Sequence, residues 1–510
     1  MTDTETDTDI DIDTETETAT APLAPASTPG RLARGLHGAR SRVADLDRRF
    51  YLGVVVIALG GLVLRIGMIR SRPLCLVGAA DTSSCFSGLN DSAYYHDQAN
   101  LFADHIWFRA SNSLVVAELT GGTHPTAFHP PVYSLYLGVV SWLGGHSITS
   151  HRVASAVLGA LTIVLVGVLA RKLAGRRAGW IAAGLAALYP AFWINDTVLM
   201  SEAMYAPVLV VVALVAYRSW EHPSSRRRMF ALGAAIGVAA LTRSEALLLL
   251  PFVALPLAIG ARGVPREDRI RLLVTATAAL TLVVAPWVLF NLSRFEEPTL
   301  LSTSTGTFLH LGNCDETYYD ASQIGFPHPC DVVTGQPALE VMDESEREAV
   351  LRERAVTYIG DNLGRAPLVA VVRAGRTFGF WQPGRQVETD WRFENRGRAP
   401  SAAGLLAYYA ALPFAVAGGV VLWRRRVALS PLVGLIALSA VAVMGVHALT
   451  RVRLAADVAI VVLAAIGIEA LVRRYFSGRG GLAFDGPDGP DGPDGRAVSS
   501  SDESQDAETG

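Results

Sequence analysis

Apolar runs separated by arginine clusters set the pattern of this chain from Phe50 to Arg474. Runs of about 15–22 residues with few charges are long enough to cross a bilayer core. The first, Phe50–Ile69, follows Arg31, Arg34, Arg40, Arg42, Arg48 and Arg49. Basic residues ahead of a span place that end in the cytoplasm. Arg152–Ala170 then returns to Arg171, Lys172, Arg176 and Arg177, Ala178–Ile194 goes out, and Ala203–Tyr217 comes back to Arg218 and Arg226–Arg228. Met229–Ile259 has basic residues on both flanks, so it crosses an even number of times. A hairpin with Arg243 and Glu245 at its outer tip satisfies this. Leu272–Phe290, Ala402–Trp423, Val427–Val446 and Ala455–Leu471 follow. The pattern predicts an all-α polytopic membrane protein of about ten transmembrane helices, both termini cytoplasmic.

Two stretches of the outer face are not spans. In the first outer loop, 71–150, Pro131–Leu143 is apolar but short and reads as a helix lying on the membrane surface. A crossing there would invert all later topology. The second outer segment, 291–400, predicts a helix over Asp343–Asn362, with acids in its first turn, and an amphipathic one over Ala366–Trp381. It is too small for a separate catalytic domain and is expected to cover the site or select what enters it. The remaining divisions are a transmembrane region, 50–290, and the C-terminal spans, 401–474. The tails, 1–49 and 475–510, are a Thr/Asp/Glu repeat that turns basic and a Pro/Gly/Asp repeat, both expected to be disordered and cytoplasmic. The first 20 residues lack the basic region and apolar core of a signal peptide, so the first span is expected to stay.

Composition adds to this picture at two points. Hydrophobic residues make up 51% of the 510, and the net charge of −3 reflects acid concentrated in the tails around a basic body. The basic residues sit between spans as topology signals, without a nucleic-acid-binding motif. The four cysteines, Cys75, Cys85, Cys314 and Cys330, all fall in segments assigned outside. Disulfides Cys75–Cys85 and Cys314–Cys330 would suit an oxidising compartment; metal ligation is the rival, though the spacing matches no familiar zinc pattern.

Charged groups at the edges of apolar runs cost free energy unless paired, hydrated or used. Arg65, Asp91, His129, Arg152, Glu202, Arg243, Glu245, Arg451, Arg453 and Asp457 are such groups, and all but Arg65 lie near outer ends of spans. Singly, each reads equally well as an anchor or a structural ion pair. Together, from many separate segments, they read as an extracytoplasmic site.

The stretches NDSAYY, FHPPVYSLYLGVVSWLGG, HRVASAVLGALTIVLVGVLARKLAGRRAG, LYPAFWINDTVLMSEAMY, AALTRSEALLLLP, APWVLFNLSRF and LTRVRLAAD resemble GT-C glycosyltransferases. The resemblance is to bacterial family-39-like proteins, akin to protein O-mannosyltransferases and the lipid A aminoarabinose transferase. It spans about Phe50–Arg474. It implies a GT-C-like helical bundle with its catalytic region in 50–290. The implied reaction is inverting transfer of a sugar from a polyprenyl-phosphate donor to a glycan, lipid or protein acceptor on the outer face. By resemblance Asp91 is the base on the acceptor hydroxyl and Glu202 the second acid. His129, Arg243, Arg451 and Arg453 would neutralise the phosphate, and Tyr94 and Tyr95 would hydrogen-bond it or stack on sugar. Where relatives often have Asp-Glu, Asp91 is followed by Ser92. This weakens a metal-binding reading, and no cofactor is assigned. Asp97 is a stand-in for the missing acid, and His129 occupies the place of a lysine, so its role depends on its protonation. A transporter, which would show inverted repeats and mid-membrane charges, and a non-catalytic membrane scaffold are the rival readings.

Overall fold

The apolar runs are helices in the computed structural model. It describes residues 30–72, 74–75, 86–87, 90–109, 124–328, 330, 342–392, 394, 396–446 and 448–477, with backbone alone for 30–46, 74–90 and 477. The predicted Cys75–Cys85 bridge and most of the tails lie outside the described residues. The chain divides into a small N-terminal unit, Met1–Tyr51, and a large one, Leu52–Gly510, which holds every side-chain contact described below.

The helices, in order, are α1 (Gly30–Ser71), α2 (Asn90–Ala103), α3 (Pro131–Trp142), α4 (Ile148–Ala174), α5 (Arg176–Leu188), α6 (Pro190–Thr197), α7 (Glu202–Glu221) and α8 (Arg226–Ala240). Then come α9 (Leu255–Ile259), α10 (Arg266–Leu292), α11 (Thr305–Gly312), α12 (Asp315–Tyr319), α13 (Glu344–Asp361), α14 (Ala366–Thr377), α15 (Pro383–Arg392), α16 (Arg398–Arg424), α17 (Ser430–Gly445) and α18 (Leu454–Ser477). Among the described residues the strand content is one parallel pair, Leu74–Cys75 with Phe86–Ser87.

Six helices are long and apolar enough to cross a membrane: Asp47–Ser71, Ile148–Ala174, Glu202–Glu221, Arg266–Leu292, Arg398–Arg424 and Thr450–Phe476. The other expected spans are shorter or interrupted. Ser430–Gly445 and Ser244–Ile259 are short apolar helices. The third expected span breaks at Pro190 into α5 and α6, because proline cannot donate to the preceding turn. Pro131–Trp142 is a helix of 12 residues, too short to cross, with proline at its first turn.

The last span is the most enclosed of the six. In its apolar window 78% of the residues are buried, against 22–61% in the other five. It meets α16 at Gly418 and Gly467, where an added Cβ would strike backbone of the facing helix. Small residues at such a crossing let two spans approach closely. One ion pair ties the N-terminal half together. Buried Arg65 on α1 binds Asp196 on α6 (Nε–Oδ2 2.6 Å) beneath Gly159 of α4, where a Cβ would collide with that carboxylate. Arg65 and Asp196 thus form a structural pair.

In segment 291–400, α13 begins at a capping box in which Asp343 and Glu346 exchange hydrogen bonds with each other's backbone N–H. Cys314 and Cys330 form a disulfide, with Cα atoms 5.9 Å apart.

Candidate active site

Asp91 sits in the first turn of α2, where a carboxylate complements the helix N-terminus. Burial of the helix's other face fixes its direction. Tyr94, Tyr95 and Ala99 pack on Tyr133, Leu137, Leu158, Leu199 and Ala203, and Ser92 donates to Val198 O at 2.7 Å. The loop before α3 brings in His129. Its ring stacks on Tyr95 (centroids 5.0 Å apart, planes at 18°), meets Tyr94 edge-on, and places Nε2 3.3 Å from Asp91 Oδ1.

Arg451 enters from the turn Thr450–Arg453 that precedes α18. Its Nη1 lies 2.7 Å from Asp91 Oδ2, and its Nε lies 2.9 Å from Glu394 Oε1 and 3.9 Å from Glu202 Oε1. Glu202, the first residue of α7, binds Arg243 Nη1 at 2.7 Å, and Arg243 Nε reaches Glu245 at 2.5 Å. Arg396 Nε closes on Glu394 Oε2 at 2.6 Å. Asp91, His129, Glu202, Arg243, Glu245 and Arg451 therefore meet in one network, although 360 positions separate Asp91 from Arg451. Buried charges persist only when paired in this way. The carboxylates face arginines, and among the described residues they do not gather into a group able to hold a metal.

Exposure ranks the acids. The side chains of Asp91 and His129 are 14% and 12% exposed, whereas those of Glu202 and Glu394 are 1% and 0%. An incoming molecule thus meets Asp91 and His129 before Glu202 and Glu394. Burial alone pushes the Asp91 carboxyl up, but Arg451 and His129 outweigh it and hold the group well below the usual carboxylate range. At Glu394 burial wins, and its carboxyl is pushed up despite Arg396 and Arg451.

Segment 291–400 holds this site in place. Glu344 Oε2, on α13, accepts from Ala127 N (3.0 Å) and Thr303 Oγ1 (2.7 Å), and Arg294 donates to the carbonyls of Phe108 and Thr126. These bonds pin the strip that carries His129.

Two arginines named from the sequence lie elsewhere. Arg152 is buried and donates to the carbonyls of Thr197, Ile69 and Arg72, so it pins backbone. Arg453 binds Asp457 (3.1 Å) and Thr377 O (3.1 Å) and lies over the Tyr408 ring, apart from Asp91. Glu394 and Arg396 are members of the network that the sequence did not single out. They stand in a run of alternating charge, and nothing in it separates Glu394 from exposed Glu388, which pairs with Arg392.

Residues 128–290 match the family model "Dolichyl-phosphate-mannose-protein mannosyltransferase". The match covers about a third of the chain and falls on segments that carry the GT-C resemblance. No curated protein matches. Among solved structures, the chain is similar to the archaeal oligosaccharyltransferase AglB from Archaeoglobus fulgidus in complex with an inhibitory peptide and a dolichol-phosphate. The TM-score is 0.49 and the identity 16%, over 86% of this chain and 53% of that one. It is also similar to ArnT from Cupriavidus metallidurans bound to undecaprenyl phosphate, with TM-score 0.40 and 19% identity over 82% of this chain and 78% of that one. The chain spans about half the length of the archaeal protein. At these scores the structural likenesses bear no further weight. His129, Glu202, Arg243 and Glu245 lie inside the matched residues, and Asp91 and Arg451 lie outside them.

Proposed function

We propose that this chain is an integral membrane glycosyltransferase of the GT-C type. In this reading it moves a sugar from a polyprenyl-phosphate donor to an extracytoplasmic acceptor hydroxyl, with inversion. The observation that carries the reading is Asp91 held between Arg451 and His129, more open than the sealed Glu202 and Glu394 beside it. Over residues 128–290 the family match supports it.

The chemistry needs a base for the acceptor proton and cations for the leaving phosphate. Asp91 takes the proton as the acceptor oxygen attacks the anomeric carbon, and the bond from that carbon to the phosphate oxygen breaks. In the free protein Arg451 makes Asp91 a weak base by neutralising it. A phosphate drawing Arg451 and His129 towards itself would release the carboxylate at the moment its basicity is needed. Glu202, sealed behind the arginines, has the role of holding Arg243 and Arg451 in position. Tyr95, stacked under His129, fixes the ring.

The test is release of polyprenyl phosphate from labelled polyprenyl-phosphate sugars by the purified protein. Asp91→Asn is expected to slow transfer at least a hundredfold while leaving the protein folded and the bare carrier bound. Undiminished transfer by that variant would remove Asp91 as the base.

A further inference from the structure

Apart from the charge network, two histidines meet through matching ring nitrogens. His96 on α2 and His151 on α4 place their Nδ1 atoms 3.0 Å apart. Each ring's other nitrogen has a partner of its own. Asn100 Nδ2 lies 3.3 Å from His96 Nε2, and Ser141 Oγ, on α3, lies 2.8 Å from His151 Nε2. His96 and Asn100, one turn apart, share a face of α2. His151 and Ser141 are fully buried.

The hydrogens of this cluster can be placed one by one. Ser141 donates its single hydroxyl hydrogen to Asn100 Oδ1 at 2.9 Å. Its oxygen then accepts from His151, which puts that ring's proton on Nε2 and leaves Nδ1 bare. His96 must therefore carry its proton on Nδ1 and donate it to His151, so His96 Nε2 is an acceptor. Asn100 supplies that hydrogen, and its other N–H goes to His146 O at 3.2 Å. Every hydrogen is used once, and both rings are neutral.

A further proton finds no acceptor here. On His151 Nδ1 it would point at the N–H of His96. On His96 Nε2 it would point at the Asn100 amide, and turning that amide would set its oxygen against His146 O. Burial pushes His96 below its ordinary 6.5, against the upward pull of Asp97. His146 acts on His151 from the loop ahead of α4. The hydroxyls of Tyr133 and Tyr136 on α3 go to Ser155 Oγ and Ala154 O, and Arg152 is turned to backbone carbonyls.

We propose that His96 and His151 form an acid-labile clamp: while neutral they bind α2 to α3 and α4 and so position Asp91, and one added proton undoes them. Asp91 stands on the same helix, five residues ahead of His96. His96, Asn100, Ser141 and His151 are thus positioning residues. The link to Asp91 rests on the transferase reading above; the clamp itself does not.

The test follows the full-length protein in nanodiscs from about pH 7.5 down to about pH 5. Amide hydrogen exchange, corrected for the intrinsic effect of pH, reads α2. Release of undecaprenyl phosphate from its labelled mannosyl and arabinofuranosyl esters reads transfer. In the wild type, protection of α2 is expected to fall about tenfold as pH drops below 6.5, and transfer to fall with it, while α18 stays protected. Asp91, held well below the usual carboxylate range, stays ionised throughout. His96→Asn keeps an N–H for His151 Nδ1 and can turn its amide oxygen to that atom once it is protonated. This variant is expected to hold protection and transfer level down to about pH 5. Wild-type protection that does not fall in acid, or that falls equally in His96→Asn, overturns the clamp. If protection falls while transfer stays level, or if transfer falls equally in both proteins through His129, the positioning of Asp91 is overturned. If the wild type transfers at no pH, the transferase reading fails, and exchange still decides the clamp.

Discussion

Arg451 is the residue on which the site turns, because its one guanidinium faces Asp91, Glu394 and Glu202. Glu394 then holds a place of particular consequence. It is a buried carboxyl resting on the cations, Arg451 and Arg396, that a phosphate would use. Replacing the acid should leave both arginines free for that phosphate. Glu394→Gln is therefore predicted to lower the Kd for bare polyprenyl phosphate by about tenfold, roughly 1.4 kcal/mol. A titration of the purified variant measures this directly, and a weaker Kd would show Glu394 to be a prop for Arg451. Asp91, Glu202, Arg243 and Arg451 were legible as candidates in the sequence because charge at the edge of an apolar run is costly unless used. Glu394 was not, because its burial comes from α15 and the following strip folding inward, and no local spacing records that. Arg152 looked like the others in sequence, and only the fold reveals that its partners are backbone carbonyls.

At the scale of elements, segment 291–400 braces the site through α13, which is itself tied to α11. Glu348 on α13 accepts from the N–H groups of Gly306 and Thr307 at the start of α11. Burial pushes its carboxyl up from the ordinary 4.5 to about 7, outweighing those bonds. A folded value above the unfolded one means the fold favours the protonated acid. Its contribution to stability is thus complete below about pH 4.5 and is lost as pH rises through about 7. Amide exchange at Gly306 and Thr307 is predicted to quicken over that window, beyond the intrinsic rise with pH, and Glu348→Gln should abolish the excess. The helix over Asp343–Asn362 was legible from its acidic first turn, and the structure adds the capping box that sets its start. Its clasp on the strip ahead of His129 was not legible, since Glu344 meets Ala127 across 217 positions.

At the scale of the whole molecule, a membrane bundle has little hydrophobic drive between its helices, so close packing and buried polar pairs carry specificity. Arg65–Asp196 is such a pair, joining α1 to α6. Breaking it from one side strands a buried charge at a cost of about 3–5 kcal/mol, whereas replacing both partners with apolar residues can be neutral. Arg65→Leu is predicted to lower thermal stability sharply, and Arg65→Leu with Asp196→Leu to recover most of it. A double variant as unstable as the single one would deny the pairing its role. The helical spans were legible because length and apolarity act locally. The breaking of the third expected span at Pro190 is a local effect of that proline which hydropathy averages over, whereas the burial of α18 depends on neighbours, which hydropathy does not record. Six of the expected ten spans have the length and composition to cross a membrane.

The central claim, that Asp91 serves sugar transfer from a polyprenyl-phosphate donor, is tested most directly by lipid analysis of cells whose only copy carries Asp91→Asn. With the variant protein at normal membrane levels, one polyprenyl-phosphate sugar should accumulate and the same sugar should be depleted from the cell-envelope glycans. An unchanged donor pool together with unchanged glycans would contradict the account.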